Sequence, residues 1–389
     1  MKSQLRSTTT KACRLLSFFL AGSAIVTLAP LVASADSCTP DLPANALCED
    51  GLKLNDLQSV GSHNSYKLAI PEAELAMIAE VNPRAAMTLD YSHIELSKQL
   101  DLGLRQIELD ILYDPEGGRY SDPLLPRLAR EQSGASVFDS EGLDAPGFKV
   151  LHAQDIDVRS SCVTWILCLS LIKQWSDENP AHIPLLIMFN AKEGGGTFPG
   201  SQQALTFTAQ AYAELEREIL TVLPREKLIT PDDIRGDYPT LREAVLARGW
   251  PNLERSLGKI IFALDEGPEK VAVYLGQNES AQGKLIFPNS VSEDAPHAAY
   301  FTLNDSVGQQ KRIRQAVQAG FLVRTRADAN TFQARENDTA AREAAFASGA
   351  HYISTDYYLP RADFSGYSVR LPSGTAARCN PQRSQAPCH

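Results

Sequence analysis

One stretch decides how the chain folds, namely Leu185-Leu186-Ile187-Met188-Phe189-Asn190-Ala191-Lys192. Its first five residues are all apolar, and polar side chains appear only towards its end. A strand of a parallel sheet is buried on both faces and has this uninterrupted apolar pattern, whereas a strand with one face in water alternates. The segment Ile260–Leu264 repeats the pattern. Both stretches therefore predict central strands of a parallel sheet.

Similar apolar runs recur along the chain and alternate with sequences typical of helices. The strand candidates are Leu57–Ser62, Gln106–Tyr113, Phe148–His152, Leu185–Lys192, Lys259–Asp265, Tyr300–Asn304, Phe321–Arg326 and Tyr352–Asp356. The helix candidates are Leu96–Leu102, Val163–Asn179, Ala204–Leu223, Val307–Ala319 and Ala340–Ser348, the last two followed by the capping candidates Gly320 and Gly349. Eight strands alternating with helices predict an α/β fold, a single-domain (β/α)8 TIM-type barrel. A doubly wound open sheet is the alternative.

The first 35 residues have the layout of a secretory signal peptide. Basic residues precede an apolar run from Leu15 to Ala29, and Ala33-Ser34-Ala35 supplies the small residues of a cleavage site. The run is shorter than the roughly 20 residues that span a bilayer, which makes a membrane anchor the weaker alternative. We therefore predict a signal peptide at 1–35, a barrel at 36–389 with no transmembrane segment, and a secreted or periplasmic protein.

The mature chain would be strongly acidic and would contain an even number of cysteines. Loss of four basic residues with the signal peptide would change the net charge from −10 to −14, which disfavours nucleic acid as a partner. Six cysteines would remain in three local pairs: Cys38 with Cys48, Cys162 with Cys168, and Cys379 with Cys388. Export predicts disulfides, and nearest-neighbour pairing is the simplest of the possible connectivities. It would clamp both termini and the loop after His152.

Polar residues that are capable of chemistry stand at the ends of the predicted strands. They are His63, Asn64, Glu108, Asp110, His152, Asn190, Lys192, Asp265, Arg324, Arg326 and Asp356. In a barrel the carboxyl ends of the strands face a common mouth. Strand alternation places Glu108 and Asp110 on the same face. Two carboxylates near an amide oxygen are ligands that Ca²⁺ prefers, although Mg²⁺ could use the same oxygens.

Two histidines beside such a cation point to phosphoryl transfer. Imidazole gains or loses a proton near neutral pH, so His63 and His152 could serve as acid and base. A cation can bind a phosphate oxygen and the attacking hydroxyl together. The cations Lys192, Arg324 and Arg326 could bind the remaining negative charge of a substrate. Any one of these residues could instead be a hydrogen-bonded structural residue of the barrel.

At these positions the chain resembles the catalytic X half of phosphatidylinositol-specific phospholipases C, and above all their secreted, calcium-dependent bacterial branch. The resemblance is carried by Ser62-His63-Asn64-Ser65-Tyr66, Glu108-Leu109-Asp110, Leu151-His152, the segments 229–242 and 258–262, Arg324-Thr325-Arg326-Ala327-Asp328 and Ile353-Ser354-Thr355-Asp356-Tyr357. It extends from about Leu54 to Tyr358 and implies a barrel that cleaves a phosphodiester by attack of the adjacent inositol hydroxyl.

The resemblance also implies a role for each matched residue. His63 would stabilise the phosphoryl transition state, and His152 would protonate the leaving glyceride oxygen. Bound calcium would lower the pKa of the attacking hydroxyl, whose proton a ligand carboxylate could take. The implied calcium ligands are Asn64, Glu108, Asp110 and the residue at position 190, and the implied headgroup contact is Arg324.

The chain departs from the eukaryotic members of that family at two places. Asn190 stands where they have an acidic ligand, so calcium binding would be weaker or would recruit another acid such as Asp155. Ala263 and Asp265 stand where they have lysines that meet additional headgroup phosphates. This second departure favours phosphatidylinositol itself over its polyphosphorylated forms.

The sequence thus predicts a monomeric Ca²⁺-dependent phosphoric diester hydrolase that acts on a phospholipid at a membrane surface. A glycerophosphodiester phosphodiesterase is one alternative, but such enzymes usually follow their first histidine with Arg-Gly, where this chain has Asn64-Ser65. A non-catalytic barrel that binds lipid headgroups or glycans is another. The presence of both His63 and His152 disfavours it, because binding alone needs neither an acid nor a base.

Overall fold

A computed structural model describes residues 51–135, 137–196, 200–371 and 375–383, which belong to one compact unit. The strands in these ranges are β1 (Leu57–Ser62), β2 (Gln106–Asp114), β3 (Gly147–Val150), β4 (Leu185–Lys192), β5 (Leu228–Ile229), β6 (Ile260–Leu264), β7 (Ile286–Pro288), β8 (Tyr300–Asp305), β9 (Leu322–Arg326), β10 (Tyr352–Thr355) and β11 (Arg378–Cys379). The bounds of β1 and β4 agree with the sequence prediction.

The helices lie mostly between successive strands. They are α1 (Glu72–Val81), α2 (Pro83–Leu89), α3 (Leu96–Asp101), α4 (Leu124–Ser133), α5 (Trp165–Glu178), α6 (Ala209–Val222), α7 (Pro231–Arg235), α8 (Leu241–Ala247), α9 (Leu253–Ser256), α10 (Pro268–Leu275), α11 (Gln310–Ala319), α12 (Phe332–Glu336) and α13 (Ala340–Ser348), with short 3-10 turns at Leu54–Asp56 and Arg225–Lys227. Gly320 and Gly349 end α11 and α13 in the left-handed conformation that favours glycine, as predicted.

Parallel pairing curves the sheet into a barrel. The strands β6, β4, β2, β1, β10, β9 and β8 are neighbours in that order, and β7 pairs with the other side of β6. A parallel bridge between Asn289 and Tyr300 then joins the segment after β7 to β8. The apolar residues of β4 and β6 are buried on both faces, because the barrel interior covers one face and the helices cover the other. The prediction of a single-domain (β/α)8 barrel is confirmed.

One of the eight predicted barrel strands is wrong. The segment Phe148–His152 contains β3, which pairs antiparallel with the outer half of β2, Val150 lying opposite Ile111. β2 continues beyond the barrel, and β3 folds back along it as a hairpin. The remaining barrel strand is β7, whose three residues, Ile286–Pro288, are too few to show a recognisable pattern.

The structure tests one of the three predicted disulfides. Cys162 and Cys168 are bonded, and they close the loop between β3 and α5 as predicted. The other two predicted pairs include Cys38, Cys48 and Cys388, which lie outside the described residues, as does the predicted signal peptide. Within the described ranges, no helix has both the length and the apolar character that crossing a bilayer requires.

Candidate active site

His63 follows β1 directly and is held at the mouth of the barrel by β10. Its backbone N–H donates to the carbonyl oxygen of Thr355 (3.0 Å). Its ring Nδ1 donates to Asp356 Oδ1 (2.7 Å), and its Nε2 accepts from Arg326 Nη1 (3.1 Å). Because the guanidinium is always a donor, the ring carries its proton on Nδ1. Burial and then the Arg326 charge lower the pKa of His63 to about 3, so the imidazole is neutral.

Asp356 accepts hydrogen bonds from both His63 and Arg326. Its second carboxylate oxygen accepts from Arg326 Nη2 (3.0 Å), and its backbone N–H donates to Asp328 Oδ1 (2.9 Å). Burial alone would raise the pKa of Asp356, but His63 and Arg326 outweigh that effect and hold it well below its usual range. Asp356 is therefore an ionised carboxylate that fixes the orientation of His63.

His152 has a similar aspartate partner but lies outside the ring of strands. It stands just beyond β3, and its Nδ1 donates to Asp157 Oδ2 (2.7 Å). Lys67 Nζ lies 3.4 Å from the same oxygen. Burial favours protonation of Asp157, yet Lys67 and His152 outweigh it and lower its pKa. The His152 side chain remains 22% exposed, so its Nε2 can meet a ligand.

Backbone hydrogen bonds bring the two histidine-bearing loops together. The N–H of Leu68 donates to the carbonyl oxygen of Arg159 (3.1 Å), and the N–H of Ser161 donates to that of Tyr66 (2.8 Å). The segment that follows His63 therefore lies directly against the segment that follows His152. This contact brings the two histidine-bearing loops side by side, and the convergence of both imidazoles on one substrate stays a prediction.

β2 contributes two buried carboxylates to the mouth, Glu108 and Asp110. Glu108 pairs with Arg324 through Oε2, and its Oε1 lies 3.7 Å from His63 Nε2. Asp110 pairs with Lys192 Nζ at 3.0 Å. Burial raises the pKa of Glu108 to about 8 even though Arg324 opposes the shift.

Strand register extends this acidic group to two further strands. Asp110 lies opposite Asn190 of β4, and Phe189 lies opposite Leu264, so Asp265 stands next to Asn190. Asn190 Nδ2 donates to the backbone carbonyl oxygen of Asp265. Residues that pair in a parallel sheet share a face, so the side chains of Asp110, Asn190 and Asp265 form one row inside the barrel. Burial raises the pKa of Asp265.

Asn64 is a buried residue with an unusual backbone. Its φ of 46° lies in the left-handed region, which asparagine tolerates better than most residues. Its Nδ2 donates to the Tyr91 hydroxyl (2.7 Å), which leaves its side-chain oxygen for a ligand. The Tyr91 ring stacks on His63 with 6.1 Å between ring centroids. His93 contacts the carbonyl oxygen of His63 through Nε2 (2.8 Å).

The proposed calcium ligands have suitable chemistry, but their two carboxylates are engaged in ion pairs. Among the described residues, no three acidic, histidine or cysteine side chains converge on a metal position. Glu108 and Asp110 are turned to Arg324 and Lys192 instead. The donors are nevertheless all oxygens of carboxylates and amides, and carboxylates crowded in a low-dielectric mouth favour a hard cation. The donor set therefore fits Ca²⁺ if the two cationic side chains move aside.

The three predicted substrate-binding cations lie at different depths. Arg324 is only 1% exposed and bonds to Glu108, Asn304 and Ser354 Oγ (2.9 Å). It lies beneath the mouth, where it has no open face for the headgroup contact that the resemblance implies. Arg326 and Lys192 are 15% and 35% exposed and reach the mouth itself. Strand alternation puts Arg324 and Arg326 on one face, but it does not predict how deep along the barrel axis each side chain lies.

Several residues of the site were not identified from the sequence. Lys67, Tyr91 and Asp157 lie in loops, where no periodic pattern marks them. Their proximity to the histidines depends on how the loops pack. Asp155, suggested as a substitute calcium ligand, instead accepts hydrogen bonds from the backbone N–H groups of Leu124 (3.0 Å) and of residue 202.

Comparison with known proteins agrees with this geometry. The family described as phosphoinositide phospholipase C, Ca²⁺-dependent, matches residues 52–381. The chain belongs to this family. Its members are phosphodiesterases that depend on calcium, which confirms the predicted enzyme class and cofactor and favours them over the glycerophosphodiester phosphodiesterase alternative.

Solved structures of similar fold come from bacteria. Two apo crystal forms of a calcium-dependent phosphoinositol-specific phospholipase C from Pseudomonas sp. have TM-scores of 0.51 and 0.50, at 15% and 16% identity, covering 85% of this chain and 95% and 96% of theirs. A Ca²⁺-dependent enzyme of this type from Streptomyces antibioticus has a TM-score of 0.49 at 19% identity, covering 79% and 96%. At these identities the Pseudomonas structures support the barrel fold alone. No curated protein sequence matches the chain at a significant level.

Proposed function

We propose that the enzyme cleaves phosphatidylinositol to diacylglycerol and a cyclic inositol phosphate, which it then hydrolyses further. The observation that carries the proposal is a pair of histidines, each oriented through Nδ1 by a buried aspartate, beside the carboxylates Glu108 and Asp110. A phosphodiester needs charge stabilisation on its oxygens and a proton for its leaving group, and this mouth offers both.

The first step transfers the phosphoryl group within the substrate. The inositol hydroxyl next to the phosphate attacks phosphorus, and a carboxylate of Glu108 or Asp110 takes its proton. The bond between phosphorus and the glyceride oxygen breaks, and His152 Nε2 gives a proton to that oxygen. His63, oriented by Asp356, hydrogen-bonds to the phosphoryl group where charge develops. The products are diacylglycerol and the cyclic phosphate.

Asn64, Glu108, Asp110 and Asn190 would hold calcium at this mouth. When bound, the cation supplies Lewis acidity towards the phosphate and the attacking hydroxyl. Asn190 contributes a neutral oxygen rather than a charge, so we expect modest affinity. Asp265, beside Asn190 in the same row, adds negative charge to the site in place of Asp155.

Cationic side chains would select the headgroup. Arg326 and Lys192 reach the mouth and can bind phosphate oxygens, while Arg324 supports Glu108 from below. Asp265 stands where eukaryotic relatives have a lysine for additional phosphates. An acid there repels polyphosphorylated headgroups, which favours phosphatidylinositol itself.

The export of the enzyme, its processing and its location are part of the same proposal. Residues 1–35 would direct export and be removed, and residues 36–389 would act as a monomeric catalytic barrel with disulfide-clamped termini, either secreted or in the periplasm. The substrate would be met at a membrane surface.

Product analysis on vesicles tests this function. Purified enzyme is incubated with phosphatidylinositol vesicles and, separately, with glycerophosphoinositol, each with calcium or with a chelator, and ³¹P NMR follows the products. We expect a cyclic phosphate from the lipid only when calcium is present, and no product from His152→Ala. Preferential cleavage of glycerophosphoinositol would favour the alternative phosphodiesterase. Binding to the vesicles without turnover of either substrate would favour a non-catalytic barrel.

A further inference from the structure

Lys67 is a fully buried lysine at the centre of the site with no role in the mechanism above. Its side chain is 0% exposed. Its ammonium donates to the carbonyl oxygens of Leu89 (3.0 Å) and Tyr91 (2.8 Å) and lies 3.4 Å from Asp157 Oδ2. It also lies 4.6 Å from the centre of the Tyr91 ring, within the range of a cation–π contact. A charge buried this deeply persists only when its surroundings satisfy it.

These contacts join the two halves of the site. On one side, Lys67 bonds to Tyr91, whose ring stacks on His63 and whose hydroxyl accepts from Asn64. On the other side, it pairs with Asp157, whose Oδ2 also accepts from His152 Nδ1. Asp157 is itself fully buried, and its Oδ1 has no hydrogen-bond partner among the described residues. Among the described residues, Asp157 thus forms ion pairs with Lys67 and with His152.

We propose that Lys67 is a positioning residue for the acid step: it fixes Asp157 as a carboxylate that accepts from Nδ1–H of the His152 imidazolium, so that the second ring proton, on Nε2, points to the leaving oxygen and passes to it. Without Lys67, a buried carboxylate next to a neutral imidazole is poorly compensated. Asp157 could then turn away or take up a proton. Either change releases Nδ1 and allows the ring to rotate or to adopt the other tautomer.

The inference rests on the proposed role of His152 as the acid. A residue that acts only through this acid affects a substrate in proportion to its need for a proton on the leaving group. The glyceride alkoxide is a poor leaving group and needs that proton. A 4-nitrophenyl ester of inositol 1-phosphate releases a stabilised phenolate and does not. A purely structural role would lower the turnover of both substrates alike.

The chain provides a matched control in a second buried lysine. Lys149 is also 0% exposed, lies 3.2 Å from Asp114 and donates to the carbonyl oxygens of Ala145 and Gly147. It contacts neither histidine among the described residues. Lys149→Met therefore removes an equivalent buried pair without touching the acid.

The test measures kcat for both substrates in the wild type and in Lys67→Met, Lys67→Arg and Lys149→Met, with melting curves as a check of folding. We expect Lys67→Met to lower kcat for phosphatidylinositol roughly 100-fold and kcat for the nitrophenyl ester less than about 3-fold, since general acids contribute on the order of 10²–10⁴. Lys67→Arg keeps the charge and should recover much of the loss. Lys149→Met should leave the ratio of the two kcat values unchanged.

A second measurement detects which nitrogen of the His152 ring carries a proton. ¹⁵N NMR of the histidine side chains should show His152 protonated on Nδ1 in the wild type and a mixture of tautomers in Lys67→Met. Should that variant not fold, Lys67→Gln takes its place in both measurements. Equal losses on both substrates, or an unchanged ratio with an unchanged tautomer, would overturn the role of Lys67. A wild type that cleaves neither substrate would overturn the proposed function, and this inference with it.

Discussion

Replacing Asp356 with asparagine should disable His63 while leaving the shape of the site intact. The carboxylate accepts from His63 Nδ1 (2.7 Å) and from Arg326 Nη2 (3.0 Å). An asparagine can offer its oxygen to only one of these donors, so its amide N–H group faces the other. Hydrogen bonds to charged groups contribute about 1.5–3 kcal/mol each. Losing one of these two bonds in the transition state would cost roughly 1.5–3 kcal/mol, or about 10- to 10²-fold in kcat.

The assay compares kcat and KM of Asp356→Asn with those of the wild type on phosphatidylinositol vesicles at saturating calcium. We expect kcat to fall more than KM rises, because Asp356 orients His63 and also holds Arg326, which we propose to bind phosphate oxygens. Asp328→Asn is the control, because Asp328 bonds to the backbone N–H of Asp356 and to Thr355 but not to the imidazole. A kcat within about threefold of the wild type in Asp356→Asn would refute the claim that this carboxylate orients His63.

Three further predictions concern the metal. Asp110→Asn should weaken calcium binding at least about tenfold by calorimetry, a change of about 1.4 kcal/mol, and an unchanged isotherm would remove Asp110 from the ligand set. Asn190→Asp restores a charge beside Asp110 and should tighten calcium binding; weaker binding would contradict the assignment of Asn190. Burial raises the pKa of Glu108 to about 8, so at neutral pH calcium must displace a proton there. Affinity should therefore rise with pH between about 6.5 and 8.5, with proton release that is absent from Glu108→Gln when titrated in two buffers.

The sequence predicted the bounds of β1 and β4 to the residue. In both strands the last residues are polar, at Ser62 and at Lys192, and the prediction included them in the strand. β3 has the composition of a barrel strand, because α5 packs against it and buries Phe148 and Val150 in the main core. The hydrophobic periodicity and the composition of a segment indicate whether it is buried. They do not indicate which strand it pairs with. The antiparallel pairing of β3 and the three-residue strand β7 could therefore not be predicted from the sequence.

The residues of the candidate site also fall into those that the sequence could group and those that it could not. Strand alternation correctly grouped Glu108 with Asp110 and placed Asn190 near them, because their proximity follows from parallel register. Loop residues such as Asp157 come close to the histidines only through tertiary packing, for which a single sequence carries no signal. The burial of Arg324 is a matter of depth along the barrel axis, and alternation says nothing about depth.

The proposed catalytic residues lie on two separate structural elements, because the hairpin that carries His152 is not part of the barrel. His63 and the carboxylates belong to the barrel wall. His152 belongs to an appendage that is held by the pairing of β3 with β2, by backbone hydrogen bonds and the Lys67–Asp157 pair, and by the Cys162–Cys168 disulfide. Under the proposed mechanism, changes in this appendage would alter which alcohol departs without altering the barrel wall. Diversification among such enzymes should accordingly concentrate in residues 115–164, and chimaeras that exchange only this segment should trade leaving-group preference while keeping headgroup preference.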